Sequence, residues 1–327
     1  MKLGDIGEFG FIERIRKRAA AASHLLLGIG DDCAVSRVAP GELLLASTDL
    51  LIEDIHFRRG WSDMHTLGRK SVSVNVSDLA AMGGRALNLY LGLGIPADTS
   101  VEDLDAFANG VLDACAAYGA VLAGGDTCRS PGPLFISVTV EGSVPEAQLV
   151  TRAGARPGDL LWVSGTLGDS ALALRELLAG RRPPALLAAR HHDPCARLDL
   201  GRVLAVQGLA TAMIDVSDGL LADLGHILDS SAVGALVERD VLPLSPAFRA
   251  ALQAEPALLD LALCGGEDYE LLFTSPPEKA AAVAALAIEG VPVTQIGCVL
   301  PQDHGVRLVD AQGRPCAPPR GGFDHFY

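Results

Sequence analysis

Residues 86–126, ALNLYLGLGIPADTSVEDLDAFANGVLDACAAYGAVLAGGD, carry three kinds of signal in succession. The apolar run 86–96 reads as a strand that Pro96 stops. Ser100 then stands as a cap, acids follow at Glu102, Asp103 and Asp105, and Gly119 stands as a stop, which predicts a helix over 100–119. The apolar run AVLAGGD (120–126) and the β-rich LFISVTVEGSV (134–144) come next. Elements that alternate in this way predict α/β or α+β architecture.

The same alternation extends outward on both sides. GFIERIRKRAAAA (10–22) reads as a short amphipathic helix, HLLLGIG (24–30) as a buried strand entering a loop, 42–51 as a strand and 63–82 as a helix. A stretch rich in proline, glycine and charge (144–159) marks a boundary, and a new series follows. It comprises strand 160–165, helix 168–180, a polar loop or broken helix over 181–194, helix 196–207, strand 210–215 and helix 219–230. Strand 234–239, a helical region 246–264, strand 269–275, helix 277–288 and strands near 293–299 and 305–309 complete it. The expectation is two α/β (α+β) domains, 1–148 and 149–327. A length of 327 residues also favours two, since single cores rarely outgrow about 250 residues.

Composition excludes several classes. The net charge of −14, from 40 acids against 26 bases, is the wrong sign for a nucleic-acid binder. No run of eighteen apolar residues suggests a membrane span. The N-terminal stretch has no apolar signal region, which argues against secretion. Seven scattered cysteines without a CxxC pair fit reduced thiols in a cytoplasm, not a zinc site or disulfide framework.

The informative acids sit where apolar runs end, beside glycine or serine. They are Asp31 and Asp32 in GIGDD, Asp49 in STD, Asp78 in NVSDLAAMGG, Asp126 in AGGDT, Asp215 and Asp218 in IDVSDGL, and Glu267 and Asp268 in CGGEDYEL. Aspartate is a common cap and turn residue, so one such cluster means little. Six at comparable breaks suggest oxygen ligands for a hard cation. A metal between carboxylate and phosphate explains why a glycine loop, GIGDDCA (28–34), presents two anions. The pattern predicts several magnesium ions and a polyphosphate such as ATP. There is no GxxxxGK[ST] loop and there are only four lysines, so a P-loop is excluded. Cys33 replaces the third glycine of a dinucleotide fingerprint, and GxSxG and HExxH are absent. His191, His192 and the cysteines match nothing functional and read as structural.

Taken in order, GIGDDCA, STDLLIEDIHF, NVSDLAAMGG, LAGGDT, TRAGARPGD, IDVSDGLLADL, CGGEDYEL and GGFDHF resemble the thiamine-monophosphate kinase family. That family is one branch of a superfamily that includes aminoimidazole ribonucleotide synthetase, selenophosphate synthetase and a hydrogenase maturation protein. The resemblance implies an aminoimidazole ribonucleotide synthetase-like fold. Its N-terminal domain binds ATP and magnesium and dimerises through its sheet, and its α+β C-terminal domain covers the site. It implies magnesium ligands at Asp32, Ser47, Thr48, Asp49, Asp78, Asp126, Asp215 and Asp218, with Asp31 a turn or supporting residue. ATP contacts are implied at Gly125, Asp126, Arg152 and Ser217, and thiamine-phosphate contacts at His56, Glu267 and Phe323. The implied reaction is direct in-line transfer from ATP to thiamine monophosphate, without an acid–base residue, in a cytoplasmic homodimer. The rival readings are another synthetase of the superfamily and a non-catalytic magnesium-nucleotide-binding dimer. No catalytic Cys with a nearby Lys stands near the N-terminus, and the chain ends DHFY, unlike those two relatives.

Overall fold

The structure, a computed structural model, describes residues 3–29, 34–286, 288 and 290–317. Its contacts divide the chain into two units, Met1–Leu79 with Gly84–Ala147, and Ala80–Gly83 with Gln148–Tyr327.

The first unit runs α1 (Leu3–Arg16), β1 (Leu25–Leu27), β2 (Val35–Ser36), β3 (Glu42–Ile52), α2 (Met64–Ala81), β4 (Arg85–Pro96), α3 (Val101–Tyr118), β5 (Val121–Ser130) and β6 (Phe135–Pro145). The opening stretch is therefore β4–α3–β5, and the two strands pair in parallel, as a helical crossover allows. Ser100 Oγ accepts the Asp103 N–H at 3.0 Å, and Gly119 ends the helix at φ 71°, as the sequence predicts. The sheet order is β3-β6-β4-β5, with β6 antiparallel to both of its neighbours. Leu89, Leu91, Ile136, Val138 and Val140 are buried in it.

Two glycines let α2 and α3 cross closely. A Cβ on Gly68 would stand 2.2 Å from the Phe107 carbonyl oxygen, and one on Gly110 would stand 1.9 Å from that of His65. The short β1–β2 hairpin is tied to the sheet by Asn88, whose Nδ2 donates to Ser36 Oγ at 2.7 Å. The Asn88 Oδ1 lies 3.1 Å from His24 Nε2.

The second unit runs β7 (Leu160–Ser164), α4 (Asp169–Leu178), α5 (Ala185–His192), α6 (Leu198–Val206), β8 (Ala212–Asp215), α7 (Leu220–Ser231), β9 (Val233–Glu238), α8 (Pro246–Ala254), α9 (Leu259–Cys264), β10 (Leu271–Ser275), α10 (Ala280–Ala284), β11 (Val293–Pro301), β12 (Val306–Val309) and β13 (Pro315–Cys316). Among the described residues its sheet has the order β13-β12-β9-β11-β7-β10-β8. Only β12 and β9 pair in parallel, which makes this unit α+β. Leu161, Val163, Leu220, Leu224, Phe248 and Leu272 lie in its core.

The structure differs from the sequence expectation at four places. The first helix spans 3–16, not 10–22, because the Arg18 side chain turns back to donate to the Arg14 carbonyl and to Asp105 of α3. The alanines that follow have helix propensity but no large side chain to bury. The polar stretch 181–194 contains α5, entered at Pro184, with Leu187 and His191 buried four residues apart on one face. Proline and charge around that pair hide its period. The helical region 246–264 breaks at Glu255 and Pro256, and the helix over 277–288 shortens to α10 behind a turn of 3-10 helix.

The helix crossing makes a direct prediction. Gly110→Ala forces atoms into the His65 backbone and is expected to destabilise the protein by about 1–3 kcal/mol. Gly60→Ala meets nothing within 4 Å and serves as the control. Thermal unfolding should show a lowered Tm for the first only.

Candidate active site

In the first unit the structure brings Ser47, Asp49 and Asp78 together. Side chains alternate along β3, so Ser47 and Asp49 share one face and Thr48 takes the other. On α2, Asn75 and Asp78 stand three apart and both reach β3. Ser47 Oγ donates to Asp78 Oδ2 at 2.5 Å, and the Asp49 backbone N–H donates to Asn75 Oδ1 at 3.0 Å. Asn75 is wholly buried, and its Nδ2 donates to the Ser71 carbonyl at 2.9 Å, which fixes the amide. Thr48 faces away from this group, with Oγ1 donating to the Val138 carbonyl at 3.0 Å and lying 2.9 Å from Thr139 Oγ1.

Gly125 and Asp126 lie elsewhere in the unit. They stand on β5, at the opposite edge of the sheet from β3, about 14 Å across three strand spacings. Asp126 is exposed. A Cβ on Gly125 would stand 2.1 Å from the Leu91 carbonyl oxygen, so only glycine passes there. Ile29, from the glycine loop, lines one small cavity with Gly124, Gly125, Asp126 and Thr127. Within that lining the Thr127 hydroxyl is buried with no partner among the described residues. Sequence reading missed Thr127, although it stands in the AGGDT motif. Asp31 and Asp32, which follow in the sequence, lie outside the described residues, as does Phe323.

His56 closes the turn that follows β3. Its Nδ1 accepts the Ile52 N–H at 3.1 Å, and its own N–H donates to the Ile52 carbonyl at 2.9 Å. Nδ1 is thus an acceptor, which puts the proton of the neutral ring on Nε2.

In the second unit two loops are strapped together. β8 ends at Asp215, which is buried, and the chain continues through Val216, Ser217 and Asp218. The Glu267 N–H donates to the Ser217 carbonyl and the Tyr269 N–H to that of Val216, both at 2.8 Å, while the Val216 N–H donates to the Glu270 backbone carbonyl at 2.8 Å. Glycines permit the approach: a Cβ on Gly266 would stand 2.4 Å from the Ser217 carbonyl oxygen, and one on Gly219 2.7 Å from Cys264. Ser217, Asp218 and Glu267 therefore share one turn-against-turn surface. Arg152 is exposed in a loop beside β8, where the Met213 N–H donates to the Thr151 carbonyl at 3.0 Å. Ser231 holds that loop by donating to the Arg152 carbonyl at 3.1 Å.

Three inward acids brace these loops. Asp223 Oδ2 accepts the backbone N–H groups of Ser217, Asp218 and Gly219 at 3.1, 3.1 and 3.0 Å. Burial pushes its carboxyl up to about 6, the Asp218 charge adds to the rise, and the three N–H donors oppose it. Asp268 accepts the Gly168 N–H at 2.7 Å at the start of α4, and burial raises its enclosed carboxyl well above the ordinary range. Glu270 is buried between Arg197 and Ser164, with the Arg197 Nε at 2.7 Å and Ser164 Oγ at 2.6 Å. The strand-end pattern finds Asp268, but nothing local in the sequence distinguishes Asp223 or Glu270 from ordinary helix and strand acids.

Residues 30–144 match the AIR synthase related protein N-terminal domain and residues 156–310 the corresponding C-terminal domain, which sets the class of this two-unit fold. The chain is 39% identical to the thiamine-monophosphate kinase of Escherichia coli (strain K12), over 98% of each. It is also similar to the crystal structure of thiamine-monophosphate kinase from Stenotrophomonas maltophilia K279a, at 40% identity and TM-score 0.84, over 95% of this chain and 98% of that one. AaThiL, solved complexed with AMPPCP and TMP, gives a TM-score of 0.77 at 33% identity, over 100% of this chain and 99% of that one. The chain belongs to the thiamine-monophosphate kinase family.

The Asp223 brace has a pH signature. Its folded-state value of about 6 lies above the ordinary 3.8, so the folded state binds this proton more tightly. The stabilisation is full below pH 3.8 and is lost as pH rises through about 6. Wild-type protein should therefore gain about 2 kcal/mol over Asp223→Asn between pH 7 and pH 4. Denaturant unfolding of both proteins at the two pH values measures the difference.

Proposed function

We infer that this chain transfers the γ-phosphoryl group of ATP to thiamine monophosphate, giving thiamine diphosphate and ADP. Full-length similarity to thiamine-monophosphate kinases supports the reaction. The structural observation that favours it most is the strap between Ser217 and Glu267. It sets a turn bearing Asp215 and Asp218 beside a carboxylate suited to the cationic thiazolium ring.

Magnesium is the expected companion of the nucleotide. Among the described residues no three His, Cys, Asp or Glu side chains gather as a metal site. Magnesium does not need such a cage, since it commonly takes one or two carboxylates together with phosphate and water. The donors at hand are oxygens, Ser47 with Asp78 and Asp49 in the first unit and Asp215 and Asp218 in the second, which suits a hard cation. The unpartnered Thr127 hydroxyl beside Asp126 offers a further oxygen. On this reading Asp32, Ser47, Asp49, Asp78, Asp126, Asp215 and Asp218 hold magnesium. Thr48 belongs to the same set, although its side chain turns to the opposite face of β3. When bound, the ions neutralise the phosphates and align them.

The chain's own residues do the remaining work. Gly125, Asp126, Arg152 and Ser217 bind the nucleotide, with Arg152 exposed to meet phosphate. His56, Glu267 and Phe323 hold the acceptor, since a carboxylate and an aromatic ring both suit a cationic thiazolium. No side chain serves as a base. The acceptor is a phosphate monoester with a second pKa near 6, largely dianionic at neutral pH. The obstacle is repulsion, about 4 kcal/mol for each unit pair at ~4 Å and an effective dielectric of ~20. Transfer is direct and in line, without a phosphoenzyme.

The working state is a homodimer in the cytoplasm, formed through the outer face of β3, where Leu44 and Leu50 are 53% and 49% exposed. No helix among the described residues is long and apolar enough to cross a membrane. Sedimentation that finds only monomers at assay concentrations rejects the dimer.

ADP release with magnesium and ATP decides the reaction. Signal is expected with thiamine monophosphate but not with thiamine or without acceptor, and no phosphoprotein should form in ATP alone. Signal that ignores the acceptor overturns the reading. Asp49→Asn and Asp126→Asn should each cut turnover about a hundredfold or more while leaving Tm unchanged. Near-normal turnover removes those residues from the site.

A further inference from the structure

His191 reads as a structural histidine in the sequence, yet the fold sets it against a residue of the proposed substrate pocket. It stands in the last turn of α5 and is 2% exposed. Its Nδ1 lies 2.9 Å from Ser170 Oγ and 3.3 Å from Glu267 Oε2. Ser170, in the first turn of α4, is itself 1% exposed. Glu267 keeps 27% of its side chain exposed, enough for a ligand to reach it.

The backbone at Glu267 points the same way. It adopts φ 65°, the left-handed region that favours glycine, although Gly265 and Gly266 stand immediately before it. A glutamate in that conformation costs backbone strain that a glycine would avoid. The main chain there is fixed by the Glu267 N–H donating to Ser217. Three side-chain torsions remain to be set, and fixing them on binding would weaken affinity through lost rotamer freedom. With its proton on Nδ1, His191 sets one buried N–H between the serine hydroxyl and the carboxylate, 2.9 and 3.3 Å away, which would fix them beforehand.

We propose that His191, seated on Ser170, is a positioning residue that orients the Glu267 carboxylate for the cationic ring of the acceptor. The proposal rests on the reading of Glu267 as an acceptor contact. His191 touches neither substrate nor phosphate in this role. A neutral imidazole suits it, since it donates one hydrogen bond and leaves the carboxylate its full charge. A lysine or arginine there would cancel the charge that attracts the thiazolium.

The test is a substitution series read by steady-state kinetics with both substrates varied. Asparagine places an amide N–H where Nδ1 stands, whereas glutamine places it where Nε2 stands. His191→Gln should raise the KM for thiamine monophosphate about tenfold, the size expected for one charge-assisted hydrogen bond, with the KM for ATP within twofold. His191→Asn should recover most of that loss, and Ser170→Ala should give a smaller rise of the same selectivity. Glu267→Gln should raise the same KM, and adding His191→Gln to it should cause no further loss. A His191→Gln effect that is equal on both substrates, or that His191→Asn fails to reduce, overturns the proposal. So does an additive double mutant. If Glu267→Gln raises the KM while His191→Gln does not, the positioning role falls and the acceptor contact stands. If Glu267→Gln leaves the KM unchanged, both fall. Both His191 variants are polar and near the native volume, and their Tm values report any general damage.

Discussion

A turn that must present several acids to an anionic ligand has to be held by something other than its own side chains. In the second unit that constraint is met by backbone. The Ser217 carbonyl takes the Glu267 N–H, the Val216 carbonyl takes that of Tyr269, and Asp223 gathers three N–H groups from the turn itself. Gly219 and Gly266 are the positions where the two chains approach too closely for a Cβ. Asp215, Ser217, Asp218 and Glu267 owe their common surface to this strap. Main-chain groups supply the rigidity of that surface, so its side chains need not supply it.

The first unit reaches the same end with a side chain. Asn75 is wholly buried on α2 and accepts the N–H of Asp49, so strand and helix are locked at the residue that carries the acid. Ser47 and Asp78 then meet one turn further along the helix. The depth of α2 depends in turn on Gly68 and Gly110, which let it lie against α3 at backbone distance. A glycine on the neighbouring helix α3 thus helps to set where Asp49 and Asp78 stand.

Much of this was legible in the sequence. The caps of α3, the strand before it and the α/β alternation follow from period, proline and glycine alone. The placing of acids at strand ends holds for Asp215, which closes β8, whereas Asp49, Asp78 and Asp126 lie inside β3, α2 and β5. The partnerships were not legible. His191 and Glu267 are 76 residues apart, and the buried face of α5 hides among prolines and arginines. Asp223 looks like any acid in the first turn of a helix, and its three donors exist only once the turn has formed. Asn75 and Asp78 stand at helical spacing in the sequence, but a solvated face would show the same, and Thr127 is uncharged, so a search for acids passes over it. Local signals encode elements, and contacts distant in sequence encode what the elements do to one another.

Asn75 has a second consequence. β3 is the edge strand of its sheet, and an edge strand displays N–H groups that can recruit another chain into an unwanted sheet. The Asp49 N–H is one such group, in the middle of an eleven-residue strand with exposed leucines on either side. By accepting it, the buried amide interrupts the ladder that a newly made chain would otherwise extend to its neighbour. The residue that steadies the acid also closes one open donor of the edge strand.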